Sequence, residues 1–134
     1  MSVHSPPVVW IVDDDEDDQY LFEIAFKTLK PPVNVRRLND GEELLPALDE
    51  SDIKPSLILL DLNMPHLNGF EVLQQLRAEP AYKSLPVVVL TTSSHYEDEA
   101  KAMELGANAF LTKPGSSGKL LMLFGQLVQQ WKIN

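Results

Sequence analysis

Five side chains spread over most of the chain have the makings of one reaction centre: Asp13, Asp14, Asp61, Thr91 and Lys113. Carboxylates crowded together raise one another's pKa and destabilise a fold unless a cation compensates them, so their convergence points to a divalent ion. Mg2+ suits such a place because it needs few protein carboxylates and leaves its other positions to water or phosphate oxygens. A lysine and a hydroxyl beside it complete a cradle for one phosphoryl group. In that arrangement Mg2+ and Lys113 neutralise its oxygens, Thr91 donates a hydrogen bond, and Asp61 attacks phosphorus. Taken singly, Thr91 reads as an ordinary strand-end residue and Lys113 as a surface lysine, so the chemistry belongs to the set.

These residues can meet only if the elements before them lie side by side. Leu57 to Leu60 is an unbroken apolar run ending on Asp61, bounded by Pro55 and by Asn63, Pro65 and Gly69, and it reads as a strand buried on both faces. Val8 to Val12 is a strand that ends in Asp13, Asp14, Asp15, Glu16, Asp17 and Asp18. Pro86 to Leu90 leads into Thr91, Thr92, Ser93 and Ser94, and Ala109 to Thr112 leads into Lys113 and Pro114. Val33 to Leu38 is a weaker strand with half-exposed alternation.

Helices are predicted between the strands. Asp18 to Leu29 carries Leu21, Ile24, Ala25, Thr28 and Leu29 at helical spacing and stops before Pro31 and Pro32. Asp40 and Glu43 form a capping box that opens a helix to about Asp49. Gly69 to Ala78 presents Phe70, Leu73 and Leu76. Tyr96 to Leu105, ended by Gly106, has Ala100 and Met103 as its apolar side. Lys119 to Lys132 turns Leu120, Leu123, Phe124, Leu127, Val128 and Trp131 inward.

Five βα units with apolar strands imply an α/β fold: a flavodoxin-like, doubly wound parallel sheet of order 2-1-3-4-5 with five helices on its two faces. Ligands of such sheets bind outside the carboxyl ends of the strands, where all five candidate residues fall. Order 2-1-3 puts the acidic run beside Asp61. Glu16, Asp17 and Asp18 fit better as a solvated first helical turn that complements the helix dipole.

Composition sets the wider bounds. The 134 residues suit one domain, and a hydrophobic fraction of 44% with 23% charged is ordinary for a folded protein. A net charge of −9 with scattered Lys and Arg argues against a DNA-binding surface. The lack of cysteine excludes disulfides and thiolate metal sites. No apolar stretch has membrane-spanning length and Met1 to Pro7 is unlike a signal peptide, so a cytoplasmic location is expected, with residues 1–7 as a flexible arm ahead of a domain over 8–133.

Asp13-Asp14, Asp61-Leu62-Asn63-Met64-Pro65 with Gly69 downstream, Thr91, and Lys113-Pro114 occur in an order that resembles the receiver domain of two-component response regulators, from Val8 to about Ile133. The resemblance implies that Asp61 accepts a phosphoryl group from a sensor histidine kinase or a histidine phosphotransfer protein. It implies Mg2+, for which Mn2+ substitutes, bound by Asp14, Asp61 and the main-chain carbonyl of Asn63, and by Asp13 chiefly through water. It further implies a cis Lys113-Pro114 bond, an inward movement of Thr91 on phosphorylation, and rotation of Phe110, which cannot make the hydroxyl contact of a tyrosine. Asn63, Thr92 and Ser93 are placed to modulate hydrolysis of the phosphoryl group. Thr92 departs from the small alanine common there, and Gly115 from a larger apolar residue. The pattern also resembles, more weakly, stand-alone receivers that partner bacterial phytochrome-type kinases, through Pro86 to Ser93, Trp131 and the lack of an output domain. Such a protein acts through contacts with a downstream protein and catalyses only its own phosphorylation and slow dephosphorylation. Homodimerisation fits such proteins, although the sequence offers no self-complementary patch.

Other readings fit less well. A haloacid dehalogenase-type phosphatase would use Asp13 and Asp15, but Asp17 replaces the expected threonine or valine, no length remains for a cap, and Asp61 has no task. A flavodoxin-type FMN carrier would be repelled by the acidic run. An EF-hand needs glycine where Asp18 stands and glutamate where Ile24 stands. A receiver-like interaction module without phosphate chemistry is the remaining alternative. His66 and His95, with no paired ligands, read as solvated loop residues. Kinase specificity is expected on the first helix, among Gln19, Tyr20, Phe22, Glu23 and Phe26, with Phe22 and Phe26 favoured as core.

Overall fold

The computed structural model describes residues 8–133, and the expected arm over 1–7 lies outside the described residues. Strands β1 (Val8–Val12), β2 (Asn34–Leu38), β3 (Leu57–Leu60), β4 (Val87–Thr91) and β5 (Ala109–Thr112) form one parallel sheet in the order β2-β1-β3-β4-β5, as the sequence predicts. Every residue of β3 and β4 is buried, because helices cover both faces. Alternate side chains enter opposite cores. Trp10, Val12, Ile58, Leu60, Val87 and Val89 face helices α2 (Leu44–Glu50), α3 (Gly69–Ala78) and α4 (Tyr96–Glu104). Val9, Ile11, Leu57, Leu59, Val88 and Leu90 face α1 (Glu16–Thr28) and α5 (Ser117–Gln130).

Caps explain where the helices start. Asp15 accepts hydrogen bonds from the Asp17 and Asp18 amides, so α1 begins two residues before the predicted Asp18. The Asp40–Glu43 capping box is present, but it opens a 3-10 turn, Gly41–Glu43, ahead of α2. Ser116 caps α5 in the same way as Asp15 caps α1, which brings its start forward from Lys119.

Helix α4 is rotated from its predicted face, and on α1 the favoured Phe22 and Phe26 are buried rather than the Leu21–Ile24 stripe. On α1, Leu21 and Ile24 are 49% and 44% exposed, while Phe22, Ala25 and Phe26 are buried. Two apolar stripes share that helix, and the bulkier one takes the core: Phe26 stacks on Phe124 with centroids 4.2 Å apart, and Phe22 meets Phe124 edge-on at 5.5 Å. On α4 the buried residue is Ala102, whereas Ala100 and Met103 are exposed. Asp98, one turn before Ala102, is turned partly inward, where it accepts a 2.6 Å hydrogen bond from the Ser93 hydroxyl.

Candidate functional site

The register of the sheet brings the site together. Val12 pairs with Leu60, so Asp13 and Asp61 leave adjacent strands side by side, and the Asp61 amide donates to the Val12 carbonyl at 3.0 Å. Thr91 ends β4 opposite Thr112 of β5, and the Lys113 amide donates to the Thr91 carbonyl at 2.7 Å. The four strand ends therefore deliver carboxylates, hydroxyl and ammonium to one place, as expected for a parallel sheet.

Asp13, Asp14 and Asp61 each offer a carboxylate oxygen, and these oxygens lie within 4.8 Å of one another. Asp13 and Asp61 are buried, and Asp14 is exposed. A close, all-oxygen donor set of this charge suits a hard divalent cation such as Mg2+ or Mn2+. Lys113 Nζ supplies further compensation, 2.9 Å from Asp13 Oδ2, 2.7 Å from Asp18 Oδ2 and 3.7 Å from Asp61 Oδ2.

Burial is what perturbs these groups most. It raises the Asp13 carboxyl from 3.8 to about 6; the Asp15 amide and Lys113 pull it down, and the charge of Asp61 adds to the rise. Burial also raises Asp61, against the opposing effects of Lys113, the Thr91 hydroxyl and the amides of Asn63 and Leu62. The sequence reading attributed the shift to repulsion between carboxylates, and desolvation outweighs that repulsion at Asp13. Burial alone would lower Lys113, but Asp18 and Asp13 reverse this and keep it firmly protonated.

The other expected site residues follow these strand ends in the chain or lie within β5. Asn63 is exposed two residues beyond Asp61, Thr92 is exposed, and Ser93 is half-buried. Ser93 bonds Asp98 of α4, receives the His95 amide at 3.3 Å, and accepts the Thr112 hydroxyl on its carbonyl at 3.3 Å, so it ties the β4–α4 loop to β5. Phe110 is half-buried against the core under α4. The expected cis bond at Lys113-Pro114 is absent: among the described residues the cis peptide is Lys30-Pro31. The two isomers of an X-Pro bond differ by only about 0.5–1 kcal/mol, so residue type does not choose between them. His66 and His95 are both exposed, as predicted.

Three supporting residues were not foreseen in these roles. Gln19, predicted on the partner surface, is buried, and its amide donates to the carbonyls of Asp13 and Leu38, the latter at 3.1 Å. It pins the backbone from which the acidic pair projects. Asp18, read as a solvated first-turn acid, is the nearest partner of Lys113. Gly69 fits the start of α3 onto the Asp61 loop: a Cβ there would lie 2.5 Å from the Asp61 carbonyl oxygen. Glycine downstream of Asp61 was a legible signal. For Gln19 and Asp18 only the folded contacts reveal the role.

Comparison with known proteins agrees with this architecture. A model of the response regulator receiver domain matches residues 9–124. Response regulator Rcp1 of Synechocystis sp. is 34% identical over 131 residues, spanning 94% of this chain and 89% of that protein. The crystal structure of its Mn2+-bound form is similar with a TM-score of 0.82 at 34% identity, covering 94% of each chain. The crystal structure of the phosphorylated cyanobacterial phytochrome response regulator RcpA has a TM-score of 0.86 at 30% identity, over 95% of this chain and 94% of that one. The resemblance to phytochrome-type receivers read from the sequence thus has counterparts among the relatives. With its family model, its sheet order and its convergent carboxylates in agreement, the chain belongs to the response regulator receiver domain family.

Proposed function

We propose that this chain is a phosphoacceptor of two-component signalling, with Asp61 as the residue modified. The observation that carries the reading is the convergence of Asp13, Asp14 and Asp61, whose carboxylate oxygens lie within 4.8 Å of one another, with the Lys113 ammonium 2.9 Å from Asp13 and 3.7 Å from Asp61. An Asp61 carboxylate oxygen attacks the phosphorus of a phosphohistidine, the P–N bond breaks, and the imidazole leaves and takes up a proton. Hydrolysis later returns the carboxylate and inorganic phosphate. Asp13, Asp14, Asp61 and the Asn63 main-chain carbonyl would hold Mg2+, whose charge offsets that of the phosphoryl oxygens. Lys113 neutralises a further oxygen and Thr91, fully buried at the end of β4, donates to another. Asn63, Thr92 and Ser93 border the phosphoryl position and govern entry of water.

The phosphodonor is a sensor histidine kinase or a histidine phosphotransfer protein. A groove of about 330 Å3 between α1 and α5, lined by Leu21, Ile24, Pro114 and Leu121 as well as by Lys113, opens beside the site and supports docking of the donor on α1. The signal leaves through protein contacts on the α4–β5–α5 side, where Phe110 lies under α4 and Tyr96 and Met122 are exposed. Transfer of labelled phosphate from a purified, autophosphorylated phytochrome-type histidine kinase tests this reading. Label should appear on the unmodified chain and not on Asp61→Asn; label on both, or on neither while a known partner receiver accepts it, counts against it.

A further inference from the structure

Lys113 has three N–H donors, and three carboxylates lie within 4 Å of it. Nζ lies 2.7 Å from Asp18 and 2.9 Å from Asp13, whereas Asp61 at 3.7 Å is beyond hydrogen-bond distance. A phosphoryl group on Asp61 adds charge and acceptor oxygens that compete for the same ammonium, and drawing Lys113 toward them loosens its present contacts. Of its two close partners, one is the easier to give up. Asp13 belongs to the carboxylate trio that a divalent cation would compensate, and Asp18 does not.

Asp18 is the partner that can be released. Its side chain is 28% exposed at the first turn of α1, so water replaces the lost contact, and among the described residues it makes no other ion pair. It also lines the groove between α1 and α5, next to Lys113 and Pro114. We infer that Asp18 is a positioning residue that competes with the phosphoryl group for Lys113, and so weakens phosphoryl retention on Asp61. This rests on the phosphoacceptor reading above. The ion pair of Asp18 is with the lysine, and it acts only through that residue.

The test is titration with beryllofluoride, a phosphoryl mimic, in saturating Mg2+, followed by fluorine NMR on the full chain. Asp18→Asn should lower the half-saturating concentration by roughly two- to fivefold, the range set by a partly exposed ion pair. Asp18→Glu, which keeps a carboxylate within reach of Lys113, should stay near the unmodified value. Asp17→Asn removes the same charge from the same helical turn without touching Lys113, and should also leave binding unchanged. Unchanged or weaker binding by Asp18→Asn, or equal tightening by Asp17→Asn, overturns the role of Asp18 while leaving the phosphoacceptor reading intact. Failure of the unmodified chain to bind overturns that reading and this inference together.

Discussion

The Lys113 ammonium lies 2.9 Å from the carboxylate of Asp13, a side chain only 2% exposed, and is itself 10% exposed. Breaking a buried ion pair by removing one partner typically costs about 3–5 kcal/mol, because the other charge is left uncompensated. Lys113→Ala should therefore lower the urea-unfolding free energy in metal-free buffer at neutral pH by about that much. A loss under about 1 kcal/mol would mean that the pair is effectively solvated.

The same burial makes stability depend on pH in an unusual direction. Asp13 titrates near 6 in the folded chain against an ordinary 3.8, so the folded state holds more protons between these values. Stability must then fall as pH rises through that window, and Asp61, also raised, adds to the trend. In chelator-containing buffer, the melting temperature is expected to be higher at pH 5 than at pH 7.5. Asp13→Asn should flatten the difference, and a steeper loss on acidification would show that other carboxylates dominate.

A divalent cation should remove that penalty by binding the folded state alone. Millimolar Mg2+ or Mn2+ is expected to raise the melting temperature at pH 7.5, with saturation, in the unmodified chain. Asp14 is exposed, so Asp14→Asn should leave metal-free stability nearly unchanged while suppressing the Mg2+-dependent rise. An equal rise in this variant would remove Asp14 from the metal set.

Gly69 tests the mount of the site rather than its charges. An added Cβ would meet the Asp61 carbonyl oxygen at 2.5 Å and the Leu62 Cα at 2.8 Å, both backbone atoms that cannot rotate away. Gly69→Ala should destabilise by about 1–3 kcal/mol, as overpacking does, and should slow phosphorylation by displacing Asp61. Retention of full stability and labelling rate would show that the loop absorbs the methyl group freely.

How far the sequence revealed this can be judged residue by residue. The apolar run Leu57 to Leu60 announced β3, and alternation of strand and helix signals was enough to order the sheet and bring Asp13, Asp61, Thr91 and Lys113 together. The face of α1 was legible only in part: Leu21–Ile24 and Phe22–Phe26 both have helical spacing, the aromatic pair is favoured as core, and packing against Phe124 is what selects it. Asp18 was hidden for a different reason. It lies 95 positions from Lys113, and nothing in a run of six acidic residues marks which one turns back to the lysine.

The central claim is that Asp61 carries the phosphoryl group, and intact mass measures it directly. After incubation with Mg2+ and acetyl phosphate, the unmodified chain should gain the mass of one phosphoryl group, stable to acid and lost in base, and Asp61→Asn should gain none. No adduct on the unmodified chain, under conditions that label a control receiver, or an adduct that survives in Asp61→Asn, would contradict the account.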